Sequence, residues 1–174
     1  MKRAAEATKQ LFPIHDMGKD ELSELGYFPI SVSIFDHWLK EEEDSRCEIL
    51  FYEQAMEAGK LEEYMVGERC FLALYRDLAK EGAYIETEEG GLWSAKVDDP
   101  GFIRLQVESL REQNLMDVYF IGPQIRVQGG HDRTDLFLLR NLDYLPELNE
   151  KIRRHGLHTL VTKNFLASSA SRKL

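Results

Sequence analysis

The stretch of this chain richest in side chains able to do chemistry is Gly129-Gly130-His131-Asp132-Arg133-Thr134-Asp135. An imidazole beside two carboxylates and a guanidinium can exchange protons near neutral pH or contribute to a metal site. A metal ion needs three or four converging ligands, and no His-x-x-x-His or Cys-x-x-Cys spacing supplies the rest. No metal or cofactor is therefore expected. Gly-Gly ahead of His-Asp is also what a tight hairpin turn selects, because Gly and Asp tolerate positive φ. Two readings of the stretch follow: a turn between strands, or a small enzyme using His131, Asp132 and Asp135.

The other reactive residue types are scattered. His155 and His158 straddle Gly156, where a helix end favours a cationic ring. His15 and His37 stand alone, and structural placement is expected for both. Cys47 and Cys70 are expected to be reduced, half-buried thiols, since disulfide-stapled secreted domains carry more cysteines at regular spacings. Ser31, Ser33 and Ser94 lack the Gly-x-Ser-x-Gly setting of a hydrolase nucleophile.

The elements that must position these groups read as an α+β order. Ile30, Val32 and Ile34 alternate with Ser31, Ser33 and Phe35, the period of a half-buried strand, while Phe35, His37, Trp38 and Leu39 beside them equally suit the start of a helix. Residues 1–18 and Lys19–Leu25 read as weak and short helices, Glu41–Glu57 as a longer one, and Glu68–Lys80 as the clearest, with Gly82 as its stop. Ala83–Thr87 and Leu92–Val97 flank a Glu88-Glu89-Gly90-Gly91 turn and predict a hairpin. Asp98-Asp99-Pro100 starts the next helix, with an acidic cap and proline in the first turn. Met116–Ile121 predicts a central strand, Ile125–Gln128 and Asp135–Arg140 a second hairpin, Pro146–His155 a helix, and Leu157–Val161 a last strand. The expected architecture is one α+β domain over 1–174, a mostly antiparallel sheet with helices packed on one face and a helical N-terminal third. Residues 1–82 form the mainly helical part, 83–166 the sheet-containing part, and 167–174 a frayed tail.

Charge is distributed very unevenly. The 174 residues carry 31 acids and 22 Lys and Arg, a formal charge of −9. Residues 41–99, with 17 acids against 6 bases, hold −11, while residues 100–174 sit at +3. The densest parts are Glu41-Glu42-Glu43-Asp44, Glu62-Glu63, and Glu86 with Glu88 and Glu89, with Tyr64 and Trp93 among them. Such a surface repels phosphate backbones, which need clustered Lys and Arg, so direct nucleic-acid binding is not expected. It attracts a basic protein and speeds its encounter, with Tyr64 or Trp93 as the anchoring aromatic. The apolar runs Val118–Ile121 and Leu136–Leu139 are far too short to cross a bilayer, and the N-terminus lacks the apolar core of a secretory leader. A cytoplasmic protein is expected.

The block Val118–Arg140, with Gly-Gly-His-Asp-Arg-Thr-Asp-Leu-Phe-Leu-Leu-Arg, followed by Arg153-Arg154-His155-Gly156-Leu157-His158, resembles the C-terminal half of some bacterial immunity proteins. These are small, acidic, cytoplasmic proteins that neutralise a cognate toxin domain, often a nuclease. The resemblance lies between Val118 and His158 and transfers no residue roles. It implies a non-enzymatic inhibitor; the uneven charge, not the resemblance, points to Glu41–Asp44, Glu62, Glu63, Glu86, Glu88 and Glu89 as the residues that pair with a partner's basic ones. The alternatives are the His131 enzyme and a dimeric regulatory subunit that associates through its sheet edge.

Overall fold

The two-residue periodicities assemble into a single seven-stranded sheet in the computed structural model, which describes residues 10–13, 22, 25–87, 89 and 91–160. The strands are β1 (Phe28–Ser33), β2 (Ala83–Glu86), β3 (Leu92–Ala95), β4 (Asp117–Phe120), β5 (Ile125–Gln128), β6 (Thr134–Leu139) and β7 (His158–Leu160). They lie in the order β3-β2-β4-β5-β6-β1-β7, and every neighbouring pair is antiparallel. Both expected hairpins form, and β4 is interior to the sheet. Most of residues 1–18 and of Lys19–Leu25, together with His15, Glu88, Val161 and the tail 167–174, lie outside the described residues, so the expectations for them have no counterpart here.

Alternation along the strands sorts side chains between two buried faces. Val118, Phe120, Ile125, Val127, Phe137 and Leu139 share a face with the long helix α3 (Leu61–Leu78), with α4 (Pro100–Leu110) and with α5 (Leu145–Arg154). Phe71, Leu74, Tyr75 and Leu78 recur at helical spacing along α3 and meet Phe102, Leu148 and Ile152 there. Phe120 stacks on Tyr75 at 6.1 Å between ring centroids. Tyr119, Arg126 and Leu138 point to the opposite face, and they too are buried. Arg126 donates to the carbonyl of Pro13 at 2.8 Å and lies 5.4 Å from the Phe12 ring, while Arg140 reaches Gln10 O and the Tyr27 hydroxyl. Helices α3, α4 and α5 thus take one face, and the segment Gln10–Pro13, helical at Gln10 and Leu11, covers part of the other. β1 pairs with both β6 and β7, so the helical N-terminal part shares the sheet's core.

The expected helix over Glu41–Glu57 is instead two short ones, α1 (Glu41–Asp44) and α2 (Tyr52–Glu57). Four consecutive acids leave α1 no apolar face, and none of its residues is buried. Lys40 N donates to the Glu43 carboxylate at its start and Ser45 Oγ to Glu42 O at its end, which completes the turn locally. Leu50 must then enter the core at 3 % exposure, which breaks the helical path. α3 begins at Leu61, seven residues before the expected start, because Tyr64 extends its buried stripe and Glu62 and Glu63 suit the positive end of a helix. α4 starts as its sequence requires: the Asp99 side chain accepts from Gly101 N at 2.9 Å ahead of Pro100.

Candidate functional site

The Gly129–Arg133 turn is built differently from its composition. The glycines serve close approach: a Cβ on Gly129 would sit 2.1 Å from Ser109 Oγ, and one on Gly130 2.1 Å from Thr134 O. The positive φ angles fall on Asp132 (55°) and Arg133 (57°), a conformation that costs an L-residue about 1 kcal/mol each. Arg133 offsets that cost from inside. Its guanidinium is buried 3.8 Å from the Tyr64 ring centroid and donates to Ile49 O at 3.2 Å and Tyr64 O at 3.1 Å. The turn is therefore bolted to the first turns of α3, and burial pulls the Arg133 pKa down.

Of the triad proposed for an enzyme, only two members share a surface. His131 is two-thirds exposed and bonds Glu112 Oε2 at 2.7 Å, while the other Glu112 oxygen accepts from Asp132 N at 3.1 Å. The Glu112 carboxylate raises the His131 pKa by this hydrogen bond and by charge. Asp135 faces the core instead. It is 4 % exposed, accepts from the Tyr75 hydroxyl and from Gly130 N at 2.9 Å, and burial pushes its pKa up to about 6. Strand alternation puts Asp135 under the sheet when His131 and Asp132 sit on the turn, so the three cannot act on one substrate.

The acidic segments fare better. The register pairs Ser33 with Thr134, Gln128 with Leu136, Asp117 with Gln128, Ile85 with Val118, and Glu86 with Leu92. The end of β1, the β5–β6 turn, the start of β4 and the β2–β3 turn thus lie along one end of the sheet. The Arg133–Tyr64 bond brings the start of α3 to the same end. Glu41–Asp44, Glu62, Glu63, Glu86 and Glu89 are all exposed there, as are Asp36 and Asp132. From β2 to β1 is four inter-strand steps, roughly 19 Å. Glu62 and Glu63 are partly balanced by Arg69 at 2.8 Å and Lys60 at 3.6 Å, whereas Glu41, Glu42 and Asp44 have no ion pair among the described residues.

Both aromatics expected to anchor a partner point inward. Tyr64 is 1 % exposed, donates to Leu110 O at 2.7 Å and meets Tyr52 edge-on, because it continues the apolar stripe of α3. Trp93 packs on the core and on α4, where a Cβ at Gly101 would come within 3.2 Å of its ring. Trp38, 48 % exposed, is the exposed tryptophan of this end, and Phe51, 42 % exposed, lies two residues beyond the Ile49 carbonyl that Arg133 bonds. Trp38 borders an open cleft of about 290 Å³ between the β1–α1 segment and the β5–β6 turn, with Glu41 and Asp44 on one side and His131 and Asp132 on the other. Phe35, Leu39 and Leu160 add apolar side chains to its lining. His37, also in its lining, bonds Asp36 at 2.6 Å and lies 3.4 Å from Glu43, and these carboxylates raise its pKa, the Asp36 hydrogen bond most. The sequence signal for Trp38 was its position two residues ahead of Lys40 and the acidic run; for Glu112 there was none, since only the fold brings it to His131.

Among the described residues no group of three or more His, Cys, Asp and Glu is placed to hold a metal ion, and no helix is long and apolar enough to cross a membrane. Cys47 and Cys70 are free thiols, both half-buried. No family model, curated protein or solved structure matches this chain.

Proposed function

We propose that this chain is a non-catalytic binding protein that docks its acidic sheet end on a basic protein, as a toxin-neutralising immunity protein does. One observation carries the reading: acidic segments far apart in sequence are gathered along one end of the sheet, with a half-exposed tryptophan beside the β1 part of that end. A specific interface covers about 800 Å² per partner, a patch roughly 30 Å across, and the acidic end spans much of that width. Unpaired carboxylates on a rigid sheet end steer a cationic partner and raise its association rate, an effect that salt screens. Trp38 supplies the large, amphipathic side chain on which binding energy concentrates at such surfaces. Covering the basic residues that a toxin uses on its own substrate would suffice to neutralise it.

The test is titration against the purified product of the neighbouring reading frame, following association rates at about 50 mM and about 300 mM salt. Reversal of Glu41, Glu42 and Asp44 to Lys is expected to slow association about 10-fold or more at low salt and to flatten the salt dependence. Unchanged rates and unchanged salt dependence would refute the acidic-end reading.

A further inference from the structure

The proposed docking surface contains a feature more specific than its charge. This chain repeatedly holds its own arginines between an aromatic ring and an acceptor. Arg111 lies 4.3 Å from the Tyr52 ring centroid and forks onto Glu68 at 2.7 and 3.0 Å. Arg126 lies over Phe12 and forks onto Asp117. Arg133 and Arg140 use Tyr64 and Tyr27 in the same way. At Trp38 the ring and the carboxylates of Glu41, Asp44 and Asp132 stand around the cleft, and among the described residues no cation of the chain lies over that ring.

We infer that the Trp38 cleft is an arginine receptor, in which a partner's guanidinium stacks on the indole and bonds Asp44 and Asp132. This inference rests on the proposed docking to a basic protein and names the side chain that the surface selects. Size supports it: about 290 Å³ is at the lower limit for small-molecule sites and accommodates one long side chain. Chemistry favours arginine over lysine, because a planar, weakly hydrated guanidinium stacks on an indole and offers a fork to carboxylates. The apolar lining residues Phe35, Leu39 and Leu160 suit the methylene stem. The receptor is held ready, since Glu112 fixes the backbone of Asp132 and the buried Arg133 fixes the turn beneath it. Burial, Asp44 and Glu112 raise the Asp132 pKa against a smaller lowering by His131, so an entering cation relieves the repulsion that His131 leaves.

The experiment uses two probes of equal charge, a blocked hexa-arginine and a blocked hexa-lysine peptide, with the full chain labelled for NMR. Trp38 and Trp93 give separate indole signals, and Trp93 is the internal control. Hexa-arginine is expected to shift the Trp38 signal and to bind about 5-fold tighter than hexa-lysine. Trp38→Ala, at a half-exposed position that should leave the fold intact, is expected to abolish that preference. Asp44→Asn with Asp132→Asn is expected to weaken hexa-arginine more than hexa-lysine. Equal binding of both peptides with Trp38 unmoved would overturn the receptor while leaving the acidic-end reading in place. Failure of both peptides to bind at about 50 mM salt would overturn both.

Discussion

Asp135 offers the sharpest test of how the turn beneath the cleft is held. Its carboxyl is buried beneath the sheet, and desolvation raises its pKa from 3.8 to about 6 against the opposing hydrogen bonds from Tyr75 and Gly130. A carboxyl whose folded value exceeds its unfolded one stabilises the fold when protonated. That contribution is full below about pH 3.8 and is lost as pH rises through about 6. About two pKa units correspond to roughly 3 kcal/mol. Asp135→Asn removes the titration, and an amide can still accept from Gly130 N. The stability of the variant relative to wild type should therefore climb by about 3 kcal/mol between about pH 4 and pH 7 and then level off. The assay is urea unfolding across that range, followed by far-ultraviolet circular dichroism, with the difference between the two proteins cancelling every other titrating group. Tyr75→Phe removes a hydrogen bond that lowers the Asp135 value, so it should carry the wild-type transition to higher pH. A difference that stays constant with pH, or falls as pH rises, would refute the reasoning.

Two further predictions concern the same support. Gly67→Ala should gain about 1 kcal/mol from helix propensity, yet its Cβ would lie 2.5 Å from Arg133 Nη2 and 2.9 Å from Ile34 Cγ2. Because Arg133 is pinned to Tyr64 O, the expected net effect is a loss of about 1–3 kcal/mol, read as a lowered Tm; a raised Tm would show that Arg133 is free to yield. Glu112→Gln should return the His131 pKa toward 6.5, measured by NMR titration of its ring protons. The stabilisation that this pair supplies is full below pH 6.5 and lost as pH rises through the raised folded value, so the variant should lose stability on the acidic side alone.

Local physics settled much of this protein in advance. Glycine-bounded turns foretold the β2–β3 and β5–β6 hairpins, a continuous apolar run foretold β4, and Asp99-Pro100 foretold the start of α4, because strands and caps are written in neighbouring residues, whereas β1 read equally as a strand or a helix start. The charge was equally legible as an amount: −11 over residues 41–99 is a property of composition. Its arrangement was not, since only antiparallel register could bring Glu41–Asp44, Glu62, Glu63, Glu86 and Glu89 to one sheet end. Burial decided the aromatics. Tyr64 and Trp93 sat among acids in sequence but on core-facing positions in space, and exposure fell to Trp38. The parity of a strand separated Asp135 from His131, and a loop more than 15 residues away supplied Glu112 instead. Residue types set which forces were available here; the packing of helices on a twisted sheet chose which groups meet.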